Sequence, residues 1–344
     1  MSNILVTGGA GYIGSHTLIQ LIEHGYSPVV FDSLVNASIL ALERVEQITE
    51  TTIPFVQGDI RDENSLRALF EQYEFQSVIH FAGLKAVGES VANPIMYYEN
   101  NVFGSMQLFK IMSEYQVRNI VFSSSATVYG DPVSLPLHEA MPTGVPTNPY
   151  GMSKLMIENI LKDLHVSDND WRIVNLRYFN PVGAHSSGLI GEDPNGIPNN
   201  LMPFIAQTAT GLRQELSVFG NDYDTHDGTG VRDYIHVVDL AFGHIQALKK
   251  IESERGVWTV NLGTGMGYSV LDMVKAFEQA SGKMVPYVIV DRRPGDVAAC
   301  YADPSYAKKV LNWEAKRDLN DMCRDTWNWQ SKNPQGFNSM DQKP

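Results

Sequence analysis

The sequence predicts an α/β protein, a doubly wound parallel sheet followed by a smaller mixed α/β unit, and three observations carry that prediction. Short apolar runs of strand length alternate with amphipathic helical stretches through the first half of the chain. The first strand, Ile4-Leu5-Val6-Thr7, enters a glycine turn, Gly8-Gly-Ala-Gly11-Tyr-Ile-Gly14, and leaves it as a helix from Ser15 to Glu23. Beyond Asn180 the composition turns to long loops rich in Gly, Pro and Asn, which marks a second unit. The expected division is residues 1–179 and 180–344, with some later segments returning to the first unit.

Taken in order, the elements point to a nucleotide. The glycines let the backbone turn tightly and let a diphosphate approach helix-terminal N–H groups, where the helix dipole favours negative charge. The next strand, Val29-Val30-Phe31, ends in Asp32, 21 residues after Gly11. A carboxylate at that distance accepts hydrogen bonds from an adenosine ribose and repels a 2′-phosphate, so NAD is expected rather than NADP. Phe55-Val56 leads to Gly58-Asp59-Ile60-Arg61, where Asp59 either meets an adenine amino group or caps the helical run Ser65 to Phe70. Ser77 to Ala82 is the fourth strand; small residues at Ala82 and Gly83 bring the backbone close to a pyrophosphate, and His80 reads as a core residue.

A helix is expected from Asn93 to Val117, with Tyr97, Tyr98, Val102, Met106 and Phe109 as its apolar face and Asn100 directed at the cofactor. Ile120-Val-Phe122 delivers Ser123, Ser124 and Ser125 beyond a strand end, where ligands of open parallel sheets bind. Alternation sends Ser123 and Ser125 one way and Ser124 the other. Ser125 is placed to bond the reacting hydroxyl, or else caps a turn. Asn148-Pro149 opens a helix with Leu155, Met156, Ile160, Leu161 and Leu164 as its stripe, putting Tyr150 and Lys154 on one face. An ammonium beside a phenol favours the phenolate, a proton acceptor. Moving a phenol from about 10 to about 7 takes roughly 4 kcal/mol, so a second cation or a dry site is also required. Val174 to Phe179 is a further buried strand. Later, Asp239 reads as the cap of a helix through Lys249, Ser269 and Asp272 as a capping box, and Asp303 to Trp329 as two short helices.

The net charge of −13 argues against nucleic acid or an anionic membrane surface as partner, and no apolar run approaches the length of a membrane span. Two cysteines, Cys300 and Cys323, imply no disulfide framework. The nine histidines lack ligand spacing, so no metal is expected. The chain starts straight into a strand, leaving no room for a signal peptide, and a cytoplasmic enzyme is expected.

Gly8-x-x-Gly11-x-x-Gly14 with Tyr150-x-x-x-Lys154 resembles the extended short-chain dehydrogenase/reductase family. Phe81-Ala-Gly-Leu-Lys-Ala-Val-Gly-Glu-Ser90, Phe122-Ser-Ser-Ser-Ala-Thr-Val-Tyr-Gly130 and Arg177-Tyr-Phe-Asn-Pro-Val-Gly-Ala184 resemble its UDP-hexose 4-epimerase group, over almost the whole chain. The resemblance implies that UDP-galactose and UDP-glucose are interconverted by a homodimer that retains NAD. Tyr150, Lys154 and Ser125 are then catalytic. Tyr12, Ile13, Asn36, Asp59, Ile60, Phe81, Lys85, Ser123 and Tyr178 join the cofactor contacts. Lys85, Asn180, Asn200, Leu201, Ser217, Val218, Phe219, Arg232, Arg293 and Asp296 go to the UDP-sugar, with both arginines on the diphosphate. The Asn93–Val117 face is either a dimer interface or internal packing. The 4,6-dehydratases of the family carry Asp-Glu after the Ser125 position; Ala126-Thr127 here lacks those acids. The resemblance also implies that Cys300 occupies the place where, in the family, a tyrosine fills the space an N-acetyl group would need, so N-acetylated UDP-hexoses are expected substrates unless Cys300 merely packs in the core. A UDP-sugar decarboxylase or reductase, or a non-catalytic NAD sensor, are the alternatives.

Overall fold

The computed structural model describes residues 2–131, 134–194, 196–293 and 295–337. Its strands are β1 (Asn3–Thr7), β2 (Ser27–Asp32), β3 (Phe55–Gln57), β4 (Ser77–His80), β5 (Asn119–Ser125), β6 (Arg172–Tyr178) and β7 (Asn180–Val182). β8 (Leu216–Phe219), β9 (Val231–His236), β10 (Gly256–Leu262), β11 (Gly267–Ser269), β12 (Tyr287–Val290) and β13 (Ala299–Cys300) follow. Among the described residues the main sheet is seven-stranded and parallel, in the order β10-β6-β5-β4-β1-β2-β3. The order reverses between β1 and β4, which opens a crevice at their carboxyl ends.

Alternation along β1 shows why the sheet is wound on both faces. Ile4 and Val6 enter one core with Leu18 and Leu248, while Leu5 enters the opposite core with Leu66, Phe109 and Leu161. A smaller sheet centres on β9, flanked by β7 and β13 in parallel and by β11 antiparallel, and β8 pairs with β12. Met202, Ile205, Phe277 and Met322 pack beneath it. The chain returns to the main sheet late: β10 pairs with β6, and the helix Val237–Ser253 lies against the helix Tyr12–Glu23.

Three local expectations are corrected. The Asn93–Val117 stretch is not one α-helix. It is a short helix Pro94–Tyr97, a π-helical segment Tyr98–Phe103 and a helix Gly104–Glu114, and the π segment rotates the face that the 3.6 period assigns. Its expected stripe divides accordingly: Tyr97 and Phe109 are buried within the chain, Tyr98 and Val102 are half-buried, and Met106 lies about half exposed, as does Phe103 outside the expected stripe. Asp59 does not cap the third helix. Asp62 does, accepting from Asn64 N at 3.0 Å, while Asp59 pairs with Arg61 at 2.6 Å. Asp239 is not the cap of its helix either, because His236 accepts from Val238 N at 3.1 Å. Asp239 instead accepts from the backbone of Lys316 and Arg317, tying the C-terminal region to that helix. The Ser269–Asp272 capping box is present, and Trp313 and Trp329 are buried around the helices Ser305–Leu311 and Leu319–Lys332.

Candidate active site

One half of the cleft is the glycine turn. Gly8 has φ +72°, and a Cβ there would stand 2.7 Å from Ala82 N, so strand β1 and the Phe81-Ala82-Gly83 turn close up only around glycine. At Gly14 a Cβ would meet Gly8 O at 2.4 Å. Gly11, at the helix N-cap, is different: its side has only Gly8 O nearby, at 3.3 Å. That helix has no side-chain cap and no acidic residue in its first turn. Its N-terminal N–H groups and dipole are left for an external anion, with Tyr12 and Ile13 in the opening turn. Asp32 is held beside it by Ala10 N at 3.0 Å and Leu34 N at 2.9 Å, and burial pushes its carboxyl up. These groups fit a dinucleotide with an unphosphorylated ribose.

The remaining cofactor candidates are less uniform. Asn36 lies exposed in the loop after β2. The Ile60 side chain is buried in the core under Gly104, leaving only its backbone for a ligand. Asn100 is half-buried on the π-helical segment, while its neighbour Asn101 turns inward. Asn101 accepts from Leu84 N at 2.8 Å and donates to Ser153 Oγ at 3.0 Å, so it braces the Gly83 turn against the Tyr150 helix. A helical period alone cannot distinguish Asn101 from Asn100, which is why sequence reasoning missed it.

The other half is the wall made by β5, β6 and the helix Pro149–Ser167. Asn148 caps that helix through Gly151 N at 2.9 Å, with Pro149 in the first turn. Lys154 is buried; its Nζ donates to Ser123 O at 2.7 Å and lies 6.0 Å from the Tyr150 ring centre. Ser125 caps the turn Ala126–Tyr129, accepting from Thr127 N at 3.2 Å with Thr127 Oγ1 at 2.9 Å; its hydroxyl also favours the Tyr150 phenolate, but burial outweighs it and raises the phenol. Burial also lowers Lys154 to about 8. The dry site expected to help ionise Tyr150 therefore opposes it, and the phenolate requires a further positive charge. The serine alternation holds. Ser124 turns away, donating to Glu158 at 2.5 Å within a buried pair to Arg177 at 2.6 Å. His80 is a buried neutral bridge, 2.7 Å from Thr7 Oγ1 and 2.9 Å from Ser105 Oγ. Tyr178 is buried behind Ser123 and meets His244.

Across the cleft, the second unit gathers the candidate substrate residues. Arg293 stacks over Phe219 with its guanidinium carbon 4.7 Å from the ring centre, and pairs with Asp296 at 3.0 Å. Arg232 reaches the same carboxylate at 4.0 Å and donates to Val297 O at 2.9 Å. Cys300 pairs in register with Arg232 and packs half-buried beside Tyr129 and Phe179; burial pushes its thiol up to about 11, so it is a neutral group. Ser217 is exposed on β8, whereas the Val218 side chain is buried in the small core and offers a ligand only its backbone. Asn180 opens β7, and Leu201 opens the helix that Asn200 precedes. Glu192 joins the two halves: it accepts from Asn200 at 2.6 Å and lies 3.5 Å from Lys85 Nζ. No spacing announced Glu192, since its partners lie 107 and 8 residues away. Tyr12 adds a second clasp, donating to Gly183 O at 2.6 Å. Folding also brings ligand-type atoms of His226, Asp227 and Asp272 within 4.8 Å, a grouping that linear histidine spacing does not reveal. Asp227 there already accepts from Thr229 and Ser269.

The chain is similar to known proteins throughout its length. A family model described as GDP-mannose 4,6 dehydratase matches residues 5–326. The UDP-glucose 4-epimerase of Bacillus subtilis (strain 168) is 60% identical over 338 residues, which is 98% of this chain and 99% of that one. That of Homo sapiens is 59% identical over 343 residues, again 98% and 99%. A crystal structure of the UDP-glucose 4-epimerase from Bifidobacterium longum in complex with NAD+ and UDP matches with a TM-score of 0.95 at 56% identity, covering 97% of this chain and 100% of that one.

Proposed function

Since this chain belongs to the UDP-glucose 4-epimerases of the extended short-chain dehydrogenase/reductase family, we propose that it interconverts UDP-galactose and UDP-glucose with NAD retained, through Tyr150, Lys154 and Ser125. The observation that carries the residue roles is the Tyr150 environment, where a buried ammonium lies 6.0 Å from the ring centre and the Ser125 hydroxyl favours the phenolate. NAD, held by the Gly8–Gly14 turn, Asp32 and the Phe81–Gly83 turn, supplies the hydride acceptor for sugar C4 and a positive ring whose charge favours the Tyr150 phenolate. Tyr150 Oη takes the 4-hydroxyl proton and later returns it, Ser125 aligns that hydroxyl, and Lys154 keeps a positive charge under the phenol. Because Tyr150 returns the proton to the 4-oxygen while C4 must regain its hydrogen on the opposite face, UDP is gripped and the hexose is left free to turn. Arg232 and Arg293 on the diphosphate and the short Ser125 and Cys300 near the hexose meet both demands.

The finer substrate range follows from Cys300. Its short side chain beside Arg232 leaves space for a 2-acetamido group, so UDP-N-acetylglucosamine and UDP-N-acetylgalactosamine are also substrates. Decarboxylase, reductase and dehydratase chemistry is disfavoured: the residues after Ser125 are Ala126 and Thr127, not acids, and an epimerase needs no net redox partner. The enzyme works as a cytoplasmic homodimer, with Ile95, Phe103, Met106 and Met156 as the exposed apolar patch around the Tyr150 helix. The cofactor unit is residues 1–179 together with the returning Val237–Leu262 segment.

Incubation with each of the four UDP-sugars and no added reductant, followed by product separation, tests this reading. Both pairs should interconvert with nicotinamide unchanged overall. Cys300→Tyr should suppress the N-acetyl pair more than the galactose pair; equal losses would remove Cys300 as the gate. Sedimentation of Phe103→Glu should yield monomer, and an unaltered dimer would place the interface elsewhere.

A further inference from the structure

Two phenols, Tyr150 and Tyr178, stand in one dry pocket, and only one of them can serve as the base. Their polar neighbours are of opposite kinds. Tyr150 has Ser125 beside it, whose hydroxyl favours a phenolate. Tyr178 faces His244, and the tautomer of that imidazole is fixed by its other nitrogen. His244 Nδ1 lies 2.9 Å from Leu240 O, which can only accept, so Nδ1 carries the proton and Nε2 is a bare lone pair. Tyr178 Oη sits against Nε2 and must donate to it. An acceptor of this kind stabilises the protonated phenol and opposes its ionisation.

The surroundings keep this arrangement in place. His244 is fully buried, packs its ring 4.8 Å from Phe81 and 5.4 Å from Tyr178, and burial lowers it to about 4, so it stays neutral. The charged or titratable groups facing Tyr178 are Tyr150 and His244, with Lys154 reaching the backbone of Ser123 beside it. Tyr178 pairs in register with Ser125 on β5, so the line from Tyr178 through His244 to Leu240 runs beside the strand that anchors Lys154 at Ser123 O. Neither His244 nor its helix belongs to a motif that the reaction otherwise uses.

We propose that His244 is a positioning residue that holds the Tyr178 proton away from the reacting sugar, leaving Tyr150 as the sole base of the pocket. This rests on the reading of Tyr150 given above. Without the imidazole acceptor the Tyr178 hydroxyl is released at the strand end where Tyr178 pairs in register with Ser125, and its proton competes with the substrate hydroxyl for the base.

The test compares His244→Leu with His244→Gln in the NAD-loaded enzyme, using UDP-galactose. Both variants lose the bond to Leu240, but glutamine keeps an acceptor near the Nε2 position. His244→Leu should lower kcat about tenfold with KM unchanged, the size of one internal hydrogen bond, and His244→Gln should recover most of it. Repeating the pair in a Tyr178→Phe background should erase the difference, because no phenolic proton remains to be held. Thermal melts and bound NAD content separate this from loss of fold, since both variants should be destabilised alike. Equal kcat in the leucine and glutamine variants, or a difference that persists in the Tyr178→Phe background, would overturn the assignment of His244. An unmodified protein inactive on UDP-galactose would instead overturn the epimerase reading itself.

Discussion

On the Tyr150 side of the cleft, polar groups are buried and paired: Lys154 with a backbone carbonyl, Ser124 and Arg177 with Glu158, neutral Tyr178 with neutral His244. On the Arg293 side, charge is half exposed and paired with its own neighbours, Arg293 and Arg232 both leaning on Asp296. Burial makes the first wall a place where protonation states are set by desolvation. The second wall is partly open to water, where ion pairs contribute less and exchange partners more readily. A diphosphate entering there trades with Asp296 for guanidinium contacts, whereas nothing on the first wall is free to trade. Chemistry and grip are thus assigned to different dielectric environments.

Perturbing each wall should show different signatures. The largest effect is expected from Tyr150→Phe, which removes the base: kcat should fall by about a thousandfold or more while bound NAD is retained. Turnover within tenfold of the unaltered enzyme would place the base elsewhere. Lys154→Met should come next, with kcat down on the order of a hundredfold and the acid limb of the kcat profile moved to higher pH, because the ammonium no longer favours the phenolate. An unmoved limb would show that Lys154 only supports packing through Ser123 O.

Arg293→Ala should raise KM for UDP-galactose about tenfold with kcat little changed, and added salt should weaken substrate binding less in the variant than in the parent. A fall in kcat at constant KM would blur the contrast between the walls. A separate effect is on stability rather than turnover. Burial lowers His16 and His80 to about 3, so the folded protein keeps them neutral. The unfolded chain takes up those protons near ~6.5, so the stability is present above that pH. It falls as pH drops towards 3, by ~1.4 kcal/mol per pH unit for each histidine. Thermal midpoints between pH 7 and pH 4 should decline, less steeply for His80→Gln than for the parent; parallel declines would exclude His80 as a contributor.

Linear order by itself determined what depends on neighbours within a turn or two: the β1–glycine–helix unit, Asp32 at its strand end, the serine alternation, the shared face of Tyr150 and Lys154, and the Ser269–Asp272 box. Periodicity and capping act over that range, so residue spacing suffices to read them. Tertiary structure decided whatever required a partner from elsewhere. It chose Asp62 over Asp59 and His236 over Asp239 as caps, because the competing carboxylates were taken by Arg61 and by the 316–317 backbone. It turned Asn101 inward through a π-helical segment, buried Val218, brought β10 back to the main sheet, and set Glu192 between Lys85 and Asn200. The orientation of His244 belongs here too, since a tautomer is fixed by the atoms packed around the ring, and those come from β6 as well as its own helix.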